Sequence, residues 1–184
     1  KVLIQAGASG VGSLAIQIAK LYGAEVAITA STAKKREQCL TLGADHAWEY
    51  AIVRNEVRNW TNKKGVDIVF DHVGTDTWKS SIQSLCRGGK LVTCGATTGY
   101  KAEIDLRVLF FKQLNLLGST MGTMDDMREA WAAVGDVLEN NAHEVCVHAN
   151  NARKEAGAGP GAGGGAAKGF GSGCSGIGVC ARSI

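Results

Sequence analysis

The sequence predicts an α/β fold, a doubly wound parallel sheet of six strands with helices on both faces. Two observations lead to this prediction. Short apolar runs of strand length alternate with longer segments in which apolar residues recur at helical spacing. The strand-length runs are almost uninterrupted by polar residues, as expected for parallel strands that are buried on both faces. With 184 residues the chain has the length for one such domain.

The first unit is a strand, a glycine loop, a helix and a second strand. Residues 2–6 form the first strand, and the loop from Gly7 to Gly12 leads directly into the helix. Gly23 stands where that helix should end, and residues 26–30 form the second strand. We expect one apolar stripe of the helix to face the core: Val11, Leu14, Ala15, Ile18 and Tyr22.

The next elements continue the alternation. Ser31 or Thr32 caps a second helix that runs to about residue 42, where Gly43 stops it. A third strand at 46–49 is followed by a helix over 51–62 and a fourth strand over 66–70. The helix after that strand has an apolar face of Trp78, Ile82 and Leu85.

Gly88-Gly89 then turns the chain into a fifth strand at 91–94. A short helix near 105–112, a sixth strand at 115–118 and a last helix at about 125–139 follow. The apolar residues of this last helix are Met127, Ala130, Trp131, Val134 and Leu138. Two three-strand halves of this kind predict the strand order 3-2-1-4-5-6, with a ligand crevice at the carboxyl ends of strands 1 and 4.

Composition excludes several classes of function. The hydrophobic content of 45% and charged content of 20% are globular values, and a net charge of +3 does not indicate nucleic acid binding. No apolar run approaches the roughly 20 residues of a membrane helix. The six cysteines form no C-x-x-C pair, so we expect no metal site and interpret them as small buried residues in a reducing cytoplasm.

The last segment has a different composition. Residues 157–178 contain eleven of the 25 glycines and the only proline, Pro160. Such a segment buries too little apolar surface to offset its ordering entropy, so we expect disorder. The sequence therefore divides into a dinucleotide-binding domain at 1–140 and a low-complexity tail at 141–184. This tail is either a flexible extension or the product of a reading-frame error.

The glycine loop predicts a seat for the pyrophosphate of a dinucleotide. N–H groups at a helix N-terminus and the helix dipole both favour a bound anion, and glycines permit close backbone approach. Ser9 departs from the strict pattern, which has glycine at that position. The alternative is an ordinary strand–helix turn whose glycines serve geometry alone. The candidate binding residues in this loop are Gly7, Ala8, Ser9, Gly10, Val11 and Gly12.

Strand 2 ends without the carboxylate that commonly accepts hydrogen bonds from the ribose of NAD. Ala30 takes that position, and Ser31, Lys34, Lys35 and Arg36 follow. A hydroxyl and basic side chains suit a 2′-phosphate, so we expect NADP(H), with NAD(H) as the alternative. The basic run is otherwise the solvated face of a helix.

Taken together, these motifs resemble the medium-chain dehydrogenases/reductases, in the zinc-containing alcohol dehydrogenase and quinone oxidoreductase branch. The similarity lies within residues 1–140, and Ala6, Ser9 and Gly12 match the A-x-x-G-x-x-G form of the loop, with serine at the middle position. The matching stretches are GASGVGSLAIQIAKLYGAEV, LGADHAWEY, GVDIVFDHVG, GGKLVTCG and QLNLLGSTMG.

The resemblance implies a Rossmann-type cofactor domain of an oxidoreductase. It also implies that an N-terminal catalytic domain, absent from this sequence, supplies the catalytic residues and any zinc. We therefore expect a fragment that binds cofactor without turnover, and we assign it no catalytic residue. The nicotinamide end is expected near the carboxyl ends of strands 4, 5 and 6, at His72, Val73, Cys94, Gly95, Ala96, Leu117 and Gly118.

In the intact enzyme the implied reaction is hydride transfer between the nicotinamide cofactor and an alcohol or carbonyl, a quinone or an enone. The implied partners are that small-molecule substrate and a second copy of the chain in a homo-oligomer, without a membrane or nucleic acid. Whether the intact enzyme needs zinc stays open. Two other hypotheses also stay open, a non-enzymatic NADP(H)-binding module and a gene fragment without function.

Overall fold

The computed structural model describes residues 1–132 of the chain. Its strands are β1 (Val2–Ile4), β2 (Val26–Thr29), β3 (His46–Trp48), β4 (Val66–Phe70), β5 (Leu85–Thr93) and β6 (Asn115–Gly118). Its helices are α1 (Gly10–Leu21), α2 (Ala33–Thr41), α3 (Val53–Trp60), α4 (Thr75–Ser84) and α5 (Leu106–Lys112). Residues 124–132 are helical as well.

The strands form one parallel sheet in the order β3-β2-β1-β4-β5-β6. In the centre, Ile4 of β1 lies in register with Ile28 of β2 and Phe70 of β4. The chain leaves β1 towards one edge of the sheet and leaves β4 towards the other. The predicted fold class and strand order are confirmed, and the crevice between the carboxyl ends of β1 and β4 follows from them.

Each face of the sheet has its own apolar core. On one face, Leu3, Val69 and Leu91 pack with residues of α3 and α4, among them Val57 and Ile82. On the other face, strand residues pack with the helices α1 and α2; this second cluster consists of Ile4, Ile16, Val26, Ile28, Ala30, Cys39 and Ala44. Burial on both faces explains why the strands are apolar along most of their length.

The prediction of which α1 residues face the core is wrong for the first and last of them, Val11 and Tyr22. Val11 is 50% exposed and Tyr22 is 74% exposed, while Leu14, Ala15 and Ile18 are half-buried. The buried residues of the helix are Gly12, Ser13, Ile16 and Gln17. The error has a physical cause, since two of these residues are polar but satisfied locally. The Gln17 amide donates to the Ser13 carbonyl oxygen, and the Ser13 hydroxyl donates to the Gly10 carbonyl oxygen.

Several element boundaries also differ from the prediction. β1 ends at Ile4 because Ala6 takes a positive φ of 52°, which turns the chain into the loop. β5 begins at Leu85, so Gly88-Gly89 lies within the strand rather than before it. The strand is irregular there, with a register shift against β4 between Val66 and Ile68. Of the two candidate caps of α2, Thr32 is the one observed.

Part of the prediction lies outside the described residues. This applies to residues 133–139 of the last helix, including Val134 and Leu138, to the boundary at 140 and to the tail at 141–184. Among the described residues, no helix has the length and apolar content needed to cross a membrane.

The corrected orientation of α1 can be tested by truncating one residue on each face of the helix. Ile16→Ala should lower the free energy of unfolding by about 2–5 kcal/mol, because it leaves a cavity beside Ile4 and Ile28. Leu21→Ala is the matched control, since Leu21 is 47% exposed, and it should cost no more than about 1 kcal/mol. Urea denaturation measures both values, and equal losses would contradict the assigned face.

Candidate functional site

The turn between β1 and α1 has no room for side chains at two of its glycines. A Cβ added at Gly7 would lie 2.7 Å from the Cβ atom of Ile28, and one at Gly12 would overlap the Ala6 carbonyl oxygen. Gly10, by contrast, has open space where its Cβ would be. Gly7 and Gly12 therefore serve close packing, which brings the start of α1 against the ends of β1 and β2.

Ser9 caps α1. Its hydroxyl oxygen accepts the Gly12 N–H at 2.9 Å, as a serine at the N-cap position commonly does. Within residues 1–132, the N–H groups of Gly10 and Val11 have no hydrogen-bond partner. The departure from the glycine pattern therefore removes one N–H from the anion-binding end of the helix and leaves two. These two donors, together with the helix dipole, can hold an anionic oxygen.

A buried chain of hydrogen bonds runs beneath the crevice from the loop to the end of β4. The Ala6 N–H donates to the Thr29 hydroxyl, and that hydroxyl donates to the Gln5 side-chain oxygen. The Gln5 amide then donates to Ser81, whose hydroxyl donates to the Asp71 carboxylate. In every bond the group farther from the carboxylate is the donor. The bonds are therefore aligned, and each polarises the next. The chain ties β1, β2 and α4 to the end of β4.

Asp71 is fully buried and joins β4 to α4. Besides Ser81, its carboxylate accepts the N–H groups of Val73 and Gly74 and the hydroxyl of Thr77. Four donors compensate the removal of this charge from water. The carboxylate joins the turn before α4 to two hydroxyl groups on that helix, so its role in the structure is to fix the turn that carries His72.

His72 points away from Asp71, towards the glycine loop. The His72 Nε2 atom lies 2.9 Å from the Ser9 hydroxyl oxygen, and only 8% of the residue is exposed. The two neighbours thus face different elements, as adjacent residues at a strand end should. Burial lowers the pKa of His72, although the nearby charge of Asp71 acts in the opposite direction. The ring is therefore neutral at pH 7.

The ends of β4 and β5 come close together. A Cβ at Gly95 would lie 3.2 Å from the His72 carbonyl oxygen, while the neighbouring residues Cys94 and Ala96 are exposed. Val73 is 8% exposed, and its carbonyl oxygen accepts hydrogen bonds from Thr97 and Thr98. The Val73 N–H and carbonyl group are both engaged within the protein, so they differ from the open N–H groups of the loop.

The end of β6 completes this side of the crevice. The Ser119 N–H donates to the Thr93 carbonyl oxygen, which keeps the chain beside β5 after Gly118. Leu117 is 46% exposed and pairs in register with Val92, so it faces the same side of the sheet as Phe70. Its exposed apolar surface is available to a flat ring at the carboxyl end of the sheet.

At the end of β2, the basic residues have different environments. The Arg36 guanidinium donates to the Ala30 and Ser31 carbonyl oxygens and pairs with Glu49 at 3.0 Å. Arg36 therefore stabilises the ends of β2 and β3. Ser31 and Lys34 are exposed and Lys35 is half-buried.

Two residues of this region were missed by the sequence analysis. Glu49 pairs with Arg36, and partial burial raises the pKa of the Tyr50 hydroxyl. Both directly follow β3, at the same edge of the sheet as the ends of β1 and β2. Their position after a strand was the signal available in the sequence.

The described cysteines are unpaired. Cys39 is buried in the core beside α2, and burial raises the pKa of its thiol to about 11. Cys86 is half-buried and Cys94 is exposed, and burial raises the pKa of both thiols. Between residues 1 and 132, no group of three or more His, Cys, Asp or Glu side chains is placed to hold a metal ion. The other three cysteines lie outside the described residues.

Comparison with known proteins identifies similar sequences and structures. The profile of the zinc-binding dehydrogenase family matches residues 10–136. A probable quinone oxidoreductase of Schizosaccharomyces pombe is 40% identical over 152 residues, which cover 80% of this chain and 46% of that protein.

Two solved structures extend the comparison. Escherichia coli quinone oxidoreductase complexed with NADPH superimposes with a TM-score of 0.66 at 30% identity, covering 78% of this chain and 45% of the other. An NAD-dependent alcohol dehydrogenase gives a TM-score of 0.66 at 37% identity, covering 73% and 40%. The chain spans less than half the length of each of these relatives.

The role assigned to Asp71 predicts a large effect of removing its charge. Asp71→Asn replaces an acceptor oxygen by an N–H donor that faces other donors, and should lower the free energy of unfolding by roughly 3 kcal/mol. Asp76→Asn is the matched control in the exposed first turn of α4, where the loss should stay below about 1 kcal/mol. Denaturant titration of the two variants gives the comparison; a loss for Asp71→Asn no greater than that of the control would refute the role.

Proposed function

The chain belongs to the zinc-binding dehydrogenase family, within the medium-chain dehydrogenases/reductases, and on this premise we propose that residues 1–140 are the NADP(H)-binding domain of an oxidoreductase. The observation that carries the proposal is the anion-binding end of α1. There the N–H groups of Gly10 and Val11 are open, in a loop that Gly7 and Gly12 hold against the strand ends. This position, beside the carboxyl ends of β1 and β4, suits the pyrophosphate of a dinucleotide.

The preference for NADP(H) rests on the end of β2. No carboxylate occupies position 30, where one would repel a 2′-phosphate, and Ala30 itself is buried. In the proposed site, Ser31 and Lys35 bind the 2′-phosphate and Lys34 adds positive charge nearby. Arg36 contributes by holding Ser31 in place, because its guanidinium donates to the Ser31 carbonyl oxygen. The NADPH complex of E. coli quinone oxidoreductase supports this preference, and NAD(H) stays the alternative.

The nicotinamide end belongs at the ends of β4, β5 and β6. We assign the ring to the surface made by Leu117, Gly118, Cys94, Gly95 and Ala96, with His72 on the side of the loop. When bound, the cofactor supplies a hydride for exchange with an alcohol or carbonyl, a quinone or an enone. The described domain would orient that cofactor and exclude water from one of its faces. Within residues 1–132 we assign neither a catalytic residue nor a metal ligand.

A fluorescence titration with NADPH and NADH tests the cofactor preference, and Ser31→Asp sharpens it. The new carboxylate should repel the 2′-phosphate and weaken NADPH binding by about tenfold or more, about 1.4 kcal/mol, while NADH binding stays the same or tightens. Thr41→Asp adds the same charge at the far, exposed end of α2 and should leave both affinities within about twofold. Equal and millimolar-weak binding of both cofactors by the unmodified chain would overturn the preference.

We also propose that two copies associate through β6. Within residues 1–132 this strand is the edge of the sheet and all four of its residues are exposed, and an unpaired edge is a template for another strand. Backbone N–H groups point alternately to the two sides of a strand. The Ser119 N–H points towards β5, so the N–H of Leu116, three residues earlier, points away from the sheet.

Leu116→Pro removes that outward N–H and should convert a dimer to a monomer in sedimentation equilibrium. Leu116→Ala is the control that keeps the N–H, and its dimer should persist. A monomeric unmodified chain, or a Leu116→Pro variant that stays dimeric, would contradict pairing through this edge.

A further inference from the structure

A carboxylate lies beside the end of β2, although β2 itself ends without one. Thr29 of β2 pairs in register with Trp48 of β3. The residues that follow them, Ala30 and Glu49, therefore lie side by side at the carboxyl ends of the two strands. The Ala30 N–H donates to the Trp48 carbonyl oxygen at 3.0 Å, which keeps the strands together up to this point. Glu49 thus brings a negative charge close to the place proposed for the 2′-phosphate.

The Arg36 guanidinium group connects this carboxylate to the end of β2. Its Nη2 atom lies 3.0 Å from the Glu49 Oε1 atom. Its Nη1 atom donates to the carbonyl oxygens of Ala30 and Ser31, at 3.2 and 3.4 Å. One guanidinium group therefore separates the Glu49 carboxylate from Ser31, a distance within the Debye length of about 10 Å at an ionic strength of about 0.1 M. The charge of Glu49 consequently acts at Ser31.

The ion pair neutralises a positive charge at this end of the sheet. The Arg36 side chain is only 20% exposed, so water screens its charge weakly, while the Glu49 side chain is 56% exposed. A phosphate bound at Ser31 would interact with the sum of the two charges, which is close to zero, instead of with the full charge of Arg36. The 2′-hydroxyl group of NADH carries no charge, so the same pair has little effect on it.

We propose that Glu49 is a specificity-determining residue, which lowers the preference of this chain for NADP(H) over NAD(H) by neutralising Arg36 beside the 2′-phosphate. This inference rests on the proposed function and identifies the residue that limits its cofactor preference. Glu49 needs no contact with the cofactor, because its charge acts through Arg36 and across the short distance to Ser31.

Two substitutions test the role of this charge. Glu49→Gln removes the charge and keeps the length of the side chain. It should tighten NADPH binding about fivefold, the size expected for one unit charge acting on a doubly charged phosphate at this distance, and leave NADH binding within about twofold. Glu49→Asp keeps the charge and should hold both affinities within about twofold of the unmodified chain. Fluorescence titration measures these affinities.

Glu25→Gln is the matched control. Glu25 also pairs with a basic side chain, that of Lys1, but it directly precedes β2 and so lies at the opposite end of this strand. Its removal should leave the affinities for both cofactors within about twofold, because the charge is screened over that distance. A gain in NADPH affinity for Glu25→Gln equal to that of Glu49→Gln would overturn the assignment to Glu49.

Salt dependence supplies a readout that a change in folding would not produce. The gain in NADPH affinity from Glu49→Gln should be largest at an ionic strength of about 20 mM and fall below about twofold at about 0.5 M, because salt shortens the range of the charge. A gain that does not change with salt would contradict an electrostatic role.

Two fragments of the cofactor locate the effect. The fragment 2′,5′-ADP contains the 2′-phosphate, whereas 5′-AMP lacks it, and neither contains the nicotinamide half. Glu49→Gln should therefore strengthen binding of 2′,5′-ADP about fivefold and leave 5′-AMP within about twofold. Equal gains for both fragments would overturn the assignment to the 2′-phosphate.

The outcomes separate this inference from the proposed function. If the unmodified chain binds neither NADPH nor 2′,5′-ADP, the proposed function fails and the inference fails with it. If the chain binds NADPH but Glu49→Gln changes the NADPH and NADH affinities equally, or changes neither, only the inference is overturned. Urea unfolding without ligand shows which variants are folded, and Glu49→Ala, which also removes the charge, decides should Glu49→Gln not fold.

Discussion

The buried hydrogen-bond chain from Ala6 through Thr29, Gln5 and Ser81 to Asp71 connects the elements on which the crevice is built. A carboxylate without solvent contact needs several donors, and here these come from the turn after β4 and from α4. The same chain reaches the loop before α1 from the other side. The last bond of the chain, from Ser81 to Asp71, ends on a charge and is therefore stronger than a bond between neutral groups, and it polarises the bonds before it. The two halves of the sheet are therefore joined by polar contacts where the ligand is proposed to bind.

Close packing at the β1–α1 turn is the second feature, besides the hydrogen-bond chain, that shapes the crevice. Gly7 lies against Ile28 and Gly12 against the Ala6 carbonyl group, so α1 begins directly at the strand ends. This close approach aims the first N–H groups of α1 at the crevice. The fixed turn after β4 in turn brings His72 within hydrogen-bonding distance of Ser9. Backbone packing and a buried charge thus converge on one place, and the protein alone fixes the position of the open N–H groups of Gly10 and Val11 that are proposed to bind an anion.

The local pattern of the sequence predicted β4 and β6 to the residue, the Thr32 cap as one of two choices, and the glycine stops after α1 and α2. It failed on the buried face of α1, because apolar periodicity treats Ser13 and Gln17 as surface residues. In the fold these two bond to the backbone of their own helix and become buried. It also failed at Gly88-Gly89, since a glycine pair that marks a turn elsewhere lies here inside an irregular strand.

The order of apolar runs and helical segments was enough to establish the parallel sheet, its strand order and the edge where a ligand would bind, because these follow from alternation and chain direction. The same reasoning located the loop and the missing carboxylate at Ala30. Contacts between residues far apart in sequence required the folded chain. The distance of 63 positions between Ser9 and His72, and the pairing of Arg36 with Glu49, carry no local signal. Such contacts depend on how β1 to β4 lie side by side, and only that arrangement reveals that the His72 ring lies against the hydroxyl group that caps α1.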